Sequence, residues 1–350
     1  MCGSRSVVFK IRRYLLSPAR LVSFLVSDGG ITVRATKRQS AIVTVITAFF
    51  WVAPQVQAAD LVIAMPNWPS GQATANILKV AISKEFGVEV ELVELGALNA
   101  FVGLDRGTVD IHPEVWSPNL DDVVRKYAQE KGSVIITRHA VDAWQGLCAT
   151  PAAAKQIRSV DDLKDPAKTA DLDTDGDGRG EMWIGAPTWL SAGIEKVRAA
   201  SYGYQSNLTL VETEEEVAMA AVDAATATDQ PMIFACYAPH YVFELHNVTR
   251  LSEPSYDTAR WQIVSASDPM WISKSNAPVA WPAAHFSIAY ARALEAKYPE
   301  VVGFIEKMDL TTDEVTQMSY ALEVEKQNPA AYAEAWVKER EARVQGWAGR

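Results

Sequence analysis

An acid and an indole stand close together in one short segment of the chain. The stretch 107–119 begins with apolar residues at alternate positions, Val109 and Ile111, which predicts a short strand that Pro113 is expected to end. Glu114 then stands two residues before Trp116. An indole face attracts a cation through its quadrupole, by about 2 kcal/mol when the contact is desolvated. The segment is a candidate site for a small cation, although a Trp packed under a loop would give the same pattern.

A second tryptophan follows another strand-like segment. Residues 60–65 are predicted to form a short buried strand, and Trp68 lies in the turn after it. Strands and helices then alternate up to Trp116, which indicates a parallel α/β sheet whose ligands bind at the carboxyl ends of the strands. Both tryptophans are expected at such ends. The elements predicted between them are a helix over 72–86, a strand over 88–95 and a helix over 99–105.

The same alternation starts again after Ser159, which begins a capped helical turn. One predicted strand ends in a turn at Trp189, and another ends in the turn Tyr237-Ala-Pro-His240. The elements predicted here are strands over 182–186, 208–211 and 231–236 and helices over 191–200 and 214–226. Elsewhere we predict a helix over 120–131, a strand over 134–137 and a mostly helical tail over 283–347.

Two α/β units predict two lobes. We assign the first lobe to 59–145 plus 251–350, and the second to 146–250. The fold class expected from this pattern is α/β, with a ligand cleft where the strand ends of the two lobes face each other.

Residues 1–58 differ from the rest in composition. They contain eight Lys and Arg against one acid, and Lys37-Arg38 precede an apolar run over 41–52. A charged start, an apolar run and small residues predict a secretory signal peptide with cleavage after Ala58, and hence a periplasmic protein. The run is shorter than the about 20 residues that a membrane span needs. The surplus of basic residues suggests that translation starts later, at Val33.

Removal of this leader makes the chain strongly acidic. Of the 33 basic and 43 acidic residues, eight and one lie in the leader, so the remainder has a net charge of −17. An acidic surface without basic clusters argues against nucleic acid and anionic membranes as partners.

Two cysteines, Cys148 and Cys236, remain in the exported part. They either form a disulfide there or stay as buried strand residues.

A dense acidic loop lies within the second lobe, over 171–181. Alternating acids and glycines let one tight loop turn several oxygens inward, and Ca²⁺ takes six to eight oxygen ligands. The pattern predicts a structural Ca²⁺ site, although a solvated acidic turn is the alternative. Counted from Asp173, position twelve of a twelve-residue calcium-binding loop is Ile184, so the glutamate usual at that position is missing. The candidate ligands are Asp173, Asp175, Asp177, the Arg179 carbonyl and Glu181.

Over 60–347 the chain resembles the substrate-binding proteins of ABC importers for glycine betaine, choline and related trimethylammonium compounds. The resemblance is carried by short motifs in the right order. They are Asn67-Trp68, Glu114-Val115-Trp116-Ser117-Pro118, Tyr237-Ala238-Pro239-His240, Thr311-Thr312-Asp313-Glu314 and the helical segment 331–347.

The resemblance implies a two-lobed periplasmic binding protein of the type II-like class, with two crossing hinge segments and a ligand trapped in the cleft. It also implies a monomer that delivers its ligand to the membrane permease and ATPase subunits of an importer. The family holds the methylated ammonium with three or four aromatic faces. Carried over by position, these are Trp68, Trp116 and Tyr237, with either Trp144 or Trp189.

The ligand is a trimethylated amine whose identity depends on the acid. Glu114 near the ligand would repel the carboxylate of glycine betaine, accept from the hydroxyl of choline, or share a proton with the oxygen of trimethylamine N-oxide. The calcium-like loop is similar to what we expect in the N-oxide branch of the family, so trimethylamine N-oxide is favoured, then choline or glycine betaine. His240 either donates to the ligand or packs behind the cavity.

Two other classes of function compete with this interpretation. An enzyme is disfavoured, because the sequence has no nucleophile-elbow serine, zinc-ligand spacing or phosphate loop. A calcium-dependent sugar-binding protein is the alternative, because tryptophan faces also stack on sugars.

Overall fold

The computed structural model describes residues 59–350. The predicted signal peptide, its cleavage site and the alternative start at Val33 lie outside these residues. The strands are β1 Leu61–Met65, β2 Val90–Glu94, β3 Ile111–Ser117, β4 Val134–Ile136, β5 Val141–Ala149, β6 Gly180–Gly185, β7 Leu208–Glu212, β8 Ile233–Ala238, β9 Thr249–Arg250 and β10 Ala284–Ala291.

The helices surround these strands and are mostly short. They are α1 Pro69–Phe86, α2 Ala97–Arg106, α3 Asp121–Val124, α4 Pro166–Thr169, α5 Leu190–Tyr202, α6 Glu215–Ala227, α7 Val242–Leu245, α8 Trp271–Lys274, α9 Leu294–Lys297, α10 Pro299–Ile305, α11 Thr312–Glu323, α12 Pro329–Glu339 and α13 Glu341–Trp347. Single turns of 3₁₀ helix span Ala153–Lys155, Val160–Lys164 and Ala170–Leu172. Among residues 59–350, no helix has the length and apolar content that crossing a bilayer requires.

The strands of the first half form a mixed sheet. β1 pairs in parallel with β2 and β3, as the alternation of strands and helices predicts. β10 then pairs antiparallel with β3, β4 and β5, near the middle of the sheet. The prediction of a mostly helical tail from 283 is therefore wrong at its start. Nearly all of β10 is buried, and its pairing partners lie far away in the chain, so the local sequence does not show the pairing.

Pro113 does not end its strand, contrary to the expectation. β3 continues through it to Ser117, and the pairing with β10 shifts register at this point: Ser287 opposes Val115, whereas Ala289 opposes His112. Two residues of β3, Pro113 and Glu114, therefore face one residue of β10. Such a bulge tolerates a proline, which has no N–H for the ladder, and it changes the direction of the neighbouring side chains.

The second group of strands repeats the parallel arrangement. β6 pairs in parallel with β7 and β8, as predicted. β5 joins the two groups, because its first residues pair with β10 and its later ones, from Trp144, pair with β8.

The helix predicted over 120–131 is divided: α3 is followed by one π-helical turn over Arg125–Glu130. The capped turn at Ser159 is present, with Ser159 and Asp162 bonded reciprocally.

Separate apolar cores lie under the two groups of strands. The larger one packs α1 and the C-terminal helices against β1 and β10, with Ile77, Phe304 and Trp336 among its buried members. Another core packs β6, α5 and the chain around Leu163. Each group of strands thus has its own hydrophobic support, and the ends of the strands are held at fixed places.

Cys148 on β5 and Cys236 on β8 form a disulfide. The bond joins neighbouring antiparallel strands that are 88 residues apart in sequence. Of the two alternatives left open by the sequence, the bonded one is therefore observed.

Replacement of both cysteines, Cys148→Ala with Cys236→Ala, should lower the free energy of unfolding by about 2–5 kcal/mol, because the unfolded chain regains the freedom of a long closed loop. Urea unfolding of both proteins, with and without a thiol reductant, measures this. The reductant should destabilise the wild type and leave the double variant unchanged. Equal midpoints for wild type and double variant under oxidising conditions would contradict the expectation.

Candidate ligand-binding site

A cavity of about 70 Å³ lies where the strand ends of the two sheets meet. This volume has room for roughly five water molecules. Four of the predicted residues line it: Trp68, Trp116, Trp189 and Tyr237. The other lining residues are Asn67, Gly96, Ala97, Asn119, Leu120, Gln145, Thr188, Leu190 and Ser191.

The four aromatic residues occupy matching places in the two sheets. Trp68 and Trp189 each immediately precede the helix that follows a strand, α1 after β1 and α5 after β6. Trp116 and Tyr237 are each the last residue but one of a strand, β3 and β8. Because parallel strands end at the same edge of a sheet, this repetition places two rings from each sheet around one space.

The rings contact one another edge to face. The ring centres of Trp68 and Trp189 are 6.1 Å apart, and those of Trp116 and Tyr237 are 5.3 Å apart. Trp189 and Tyr237 are 6.0 Å apart. Edge-to-face pairs at these distances are favourable arrangements of aromatic quadrupoles. Four mutually supported rings therefore form the wall of the cavity.

Glu114 lies behind two of these rings and is completely buried. Its Oε2 accepts hydrogen bonds from Nε1 of Trp68 at 2.6 Å and from Nε1 of Trp116 at 3.2 Å. The hydroxyls of Ser70 and Thr74 donate to the same carboxylate at 3.1 and 3.2 Å. Glu114 is thus placed behind the wall rather than on the surface of the cavity, and it fixes the orientation of both indoles.

Burial raises the pKa of Glu114 to about 7, although the four donors act in the opposite direction. Loss of hydration disfavours the charged form more than these hydrogen bonds favour it. The carboxylate therefore gains or loses its negative charge near neutral pH, directly behind Trp68 and Trp116. This charge adds to the attraction that the indole rings already exert on a cation.

A second acid stands behind Tyr237. The Tyr237 hydroxyl donates to Oε1 of Glu215, the first residue of α6, at 2.8 Å. Burial and the charge of Glu215 raise the pKa of Tyr237 well above its ordinary value, so the phenol stays neutral. Nε2 of His240 is 3.2 Å from the same oxygen, and its Nδ1 accepts from the Val242 N–H. His240 therefore packs behind Tyr237, which is the second of its two predicted roles.

Asn67 joins the two sides of the cavity. Its Oδ1 accepts from Nε1 of Trp189 at 3.0 Å, and its Nδ2 donates to Glu214 Oε2 at 2.6 Å. Asn67 follows β1, whereas both partners belong to the other group of strands. The contact holds the strand ends of the two sheets together on the open side of the cavity.

Trp144 does not line this cavity. Its ring packs on Phe243 with ring centres 5.1 Å apart, and the Arg250 guanidinium lies 4.5 Å from its ring centre. The structure thus brings Trp189, and not Trp144, to the other three rings. The neighbouring residue on β5, Gln145, lines the cavity instead. Successive side chains of a strand point to opposite faces, so only one of the two can face the cavity.

Sequence reasoning missed Asn119 and Gln145. Nδ2 of Asn119 donates to Oε1 of Gln145 at 3.0 Å, and Nε2 of Gln145 donates to Oδ1 of Asn119 at 2.7 Å. A signal was available for Gln145, because it is a polar residue inside the otherwise apolar end of a strand. Asn119 gave no signal beyond its position at the end of the stretch 107–119, three residues after Trp116.

The acidic loop has the geometry of a metal-binding turn. One carboxylate oxygen from each of Asp173, Asp175, Asp177 and Glu181 lies within 4.8 Å of the others. The Asp173 carboxylate accepts the N–H groups of residues 176 and 178, two glycines whose φ angles of 82° and 88° favour that residue. The Arg179 guanidinium points away, to the carbonyl oxygens of residues 205 and 208.

Comparison with known proteins identifies the family. Residues 59–339 match the model of the substrate-binding domain of ABC-type glycine betaine transport systems. The chain belongs to this family. Its members are the binding components of transporters rather than enzymes, and they act outside the cytoplasm with permease and ATPase partners and a small quaternary amine as ligand. The sugar-binding alternative gains no support from the match.

Solved structures of similar proteins have the same two-lobed α/β fold. An ABC-transporter choline-binding protein in complex with choline has a TM-score of 0.65 and 17% identity, over 83% of this chain and 91% of that one. Lactococcal OpuAC with glycine betaine has a TM-score of 0.61 and 20% identity, over 82% and 98%. The glycine betaine/L-proline-binding protein ProX of Borrelia burgdorferi has a TM-score of 0.62 and 17% identity, over 82% of this chain and 96% of that one.

The raised pKa of Glu114 should contribute to the pH dependence of the protein's stability. The folded protein keeps the proton up to about pH 7, whereas the unfolded chain loses it near the ordinary value of 4.5. Between these values unfolding releases a proton, so the free energy of unfolding falls as pH rises, by about 3 kcal/mol in total.

Glu114→Gln removes this ionisation and keeps most of the hydrogen-bonding shape. Urea unfolding at intervals from pH 4.5 to 8 should show the wild type losing stability relative to the variant as pH rises. Parallel profiles for the two proteins would show that Glu114 does not titrate in this range.

Proposed function

We propose that the protein captures a trimethylated amine in the aromatic cavity and delivers it to the permease and ATPase subunits of an ABC importer. The observation that supports this is the wall of four rings, Trp68, Trp116, Trp189 and Tyr237, around one small space. A methylated ammonium is bulky, weakly hydrated and unable to donate hydrogen bonds, so aromatic faces suit it. A primary ammonium would lose its water there without gaining acceptors.

Among the trimethylated amines we favour trimethylamine N-oxide, followed by choline and glycine betaine. Trimethylamine N-oxide is the most compact of the three, and its oxygen is bonded directly to the nitrogen that the four rings would surround. An ionised Glu114 behind the indoles attracts the ammonium and opposes the carboxylate of glycine betaine. The similar structures differ among themselves in this respect, because one is described in complex with choline and another with glycine betaine.

Capture requires the two groups of strands to approach each other around the ligand. Trp68 and Trp116 come from the first sheet, whereas Trp189 and Tyr237 come from the second, so a ligand that touches all four rings binds best when the lobes are together. The proposed role is that of a monomeric shuttle whose closed form is the one recognised by the importer. The lobe boundaries proposed from the sequence fall at 145/146, within β5, and at 250/251, just after β9, which pairs with β5.

Trp116→Ala should lower the affinity for the preferred amine at least about a hundredfold, because it removes one ring and loosens the packing of Tyr237. Calorimetric titration of wild type and variant with trimethylamine N-oxide, choline and glycine betaine measures this. Trp144→Ala removes an indole of the same size outside the cavity and serves as the matched control, which should bind within about threefold of wild type.

Two outcomes would contradict the proposed ligand class. One is that none of the three amines binds the wild type, and the other is that Trp144→Ala abolishes binding while Trp116→Ala keeps it. A thermal-shift panel that adds neutral sugars, with and without Ca²⁺, then tests the alternative of a calcium-dependent sugar-binding protein.

We also propose that the loop 171–181 binds a structural Ca²⁺ through the carboxylates of Asp173, Asp175, Asp177 and Glu181. The four carboxylates already converge, and Oε1 of Glu181 is buried without a hydrogen-bond partner among the described residues. An unsatisfied carboxylate oxygen is costly and a cation would satisfy it. The Arg179 carbonyl remains the proposed further ligand.

Calcium should raise the midpoint of thermal unfolding by a few degrees when its concentration exceeds Kd about a hundredfold. The double change Asp175→Asn with Asp177→Asn should abolish the shift. Asp257→Asn, which alters another exposed loop aspartate that accepts a backbone N–H, should keep it. The same midpoint with calcium and with a chelator would exclude the site.

A further inference from the structure

The aromatic cavity contains one pair of facing amides, Asn119 and Gln145. Asn119 follows β3 three residues after Trp116. Gln145 lies on β5 directly opposite Tyr237 of β8, and residues that oppose each other in antiparallel strands project to the same face. The pair is therefore built into the wall next to Trp116 and Tyr237.

The two amides do not use all their hydrogen-bonding groups on each other. A primary amide has two N–H donors and one oxygen, and the reciprocal pair consumes one N–H and the oxygen of each. One N–H of each amide has no partner among residues 59–350. Gln145 is 7% exposed, so little water reaches its remaining donor. A donor left in this state costs free energy that an acceptor on the ligand would recover.

The chemistry of the pair differs from that of the acid behind the indoles. Two N–H donors without a net positive charge suit a compact oxygen that carries negative charge next to the ammonium nitrogen. A hydroxyl is a weaker acceptor of these hydrogen bonds than an N-oxide oxygen, and a carboxylate on a longer chain places its oxygens farther from the ammonium nitrogen. Glu114 cannot supply this contact, because it accepts from both indoles behind the wall.

We propose that the Asn119–Gln145 pair binds the oxygen of the ligand and makes the cavity selective for an N-oxide over other methylated amines. This inference rests on the proposed function, since it needs the methylated head between the rings. The rings then supply affinity for the head, and the amide pair supplies discrimination. Such a site disfavours an analogue without the oxygen, because the buried donor of Gln145 would stay unpaired.

The test compares two ligands of nearly the same shape, trimethylamine N-oxide and tetramethylammonium, in which a methyl group replaces the oxygen. Gln145→Leu and Asn119→Leu should each lower the affinity for the N-oxide on the order of tenfold to hundredfold. The affinity for tetramethylammonium should change less than about threefold. The double variant should lose less than the product of the two single effects, because each amide orients the other.

Two further variants keep the result interpretable if a leucine disturbs the fold. Gln145→Glu replaces the free donor with a carboxylate and should weaken binding of the N-oxide while strengthening binding of tetramethylammonium. Gln156→Leu removes an exposed amide after the 3₁₀ turn Ala153–Lys155, outside the cavity, and should leave both affinities unchanged. Thermal unfolding of each variant reports whether the fold is intact.

The outcomes separate this inference from the proposed function. If the wild type binds neither of these ligands, nor choline or glycine betaine, both proposals fail. If it binds choline or glycine betaine but not the N-oxide, only this inference fails. If it binds tetramethylammonium, but the ratio of the two affinities is the same in wild type, Gln145→Leu and Asn119→Leu, the amide pair is not the oxygen site and only this inference fails. It also fails if Ser191→Ala, at a hydroxyl in the same wall, changes the ratio and the amide variants do not.

Discussion

The binding site depends on one buried carboxylate that accepts two indole N–H groups. A buried indole N–H needs an acceptor, and Glu114 provides a common one for Trp68 and Trp116, which follow different strands. The acid in turn needs donors because it has lost its water, and the hydroxyls of Ser70 and Thr74 complete its set. The two indoles and the acid therefore hold one another in place, and no one of them can move alone.

The bulge in β3 and the acid of α6 show how the rest of the chain supports this arrangement. The register shift opposite Ile288 lets Pro113 enter a central strand and aligns Glu114 with Trp116 on one face. In the other group of strands, Tyr237 lacks such an acid on its own strand and obtains Glu215 from the start of α6. Both sides thus use a buried carboxylate behind a ring, although they derive it from different elements.

The sequence predicted the rings better than their polar neighbours. Trp68, Trp116, Trp189 and Tyr237 could be found because each stands at a strand end, where chain order alone implies a position at the edge of the sheet. The sequence left Trp144 and Trp189 as alternatives for the fourth ring. It could not show that Trp144 faces away from the cavity, because a shift of one residue reverses which side chain of a strand faces it. β10 was missed for a related reason, since its pairing partners are far away in the chain. The placement of Glu114 behind the indoles depended on that same pairing.

The distribution of charge would let the proposed site hold a cation without a direct ion pair. Glu114 and Glu215 are both buried, and each has hydrogen-bond donors from the aromatic wall between its charge and the cavity. A methylated ammonium in the cavity would therefore experience negative potential at the ring faces, which the carboxylates bonded to the ring N–H and O–H groups strengthen, rather than through a direct contact with an acid. Such an arrangement attracts any small cation, so the shape of the wall must reject hydrated ones. Under the proposed function, discrimination among methylated amines then falls to the polar groups on the cavity surface, which include the reciprocally bonded amide pair.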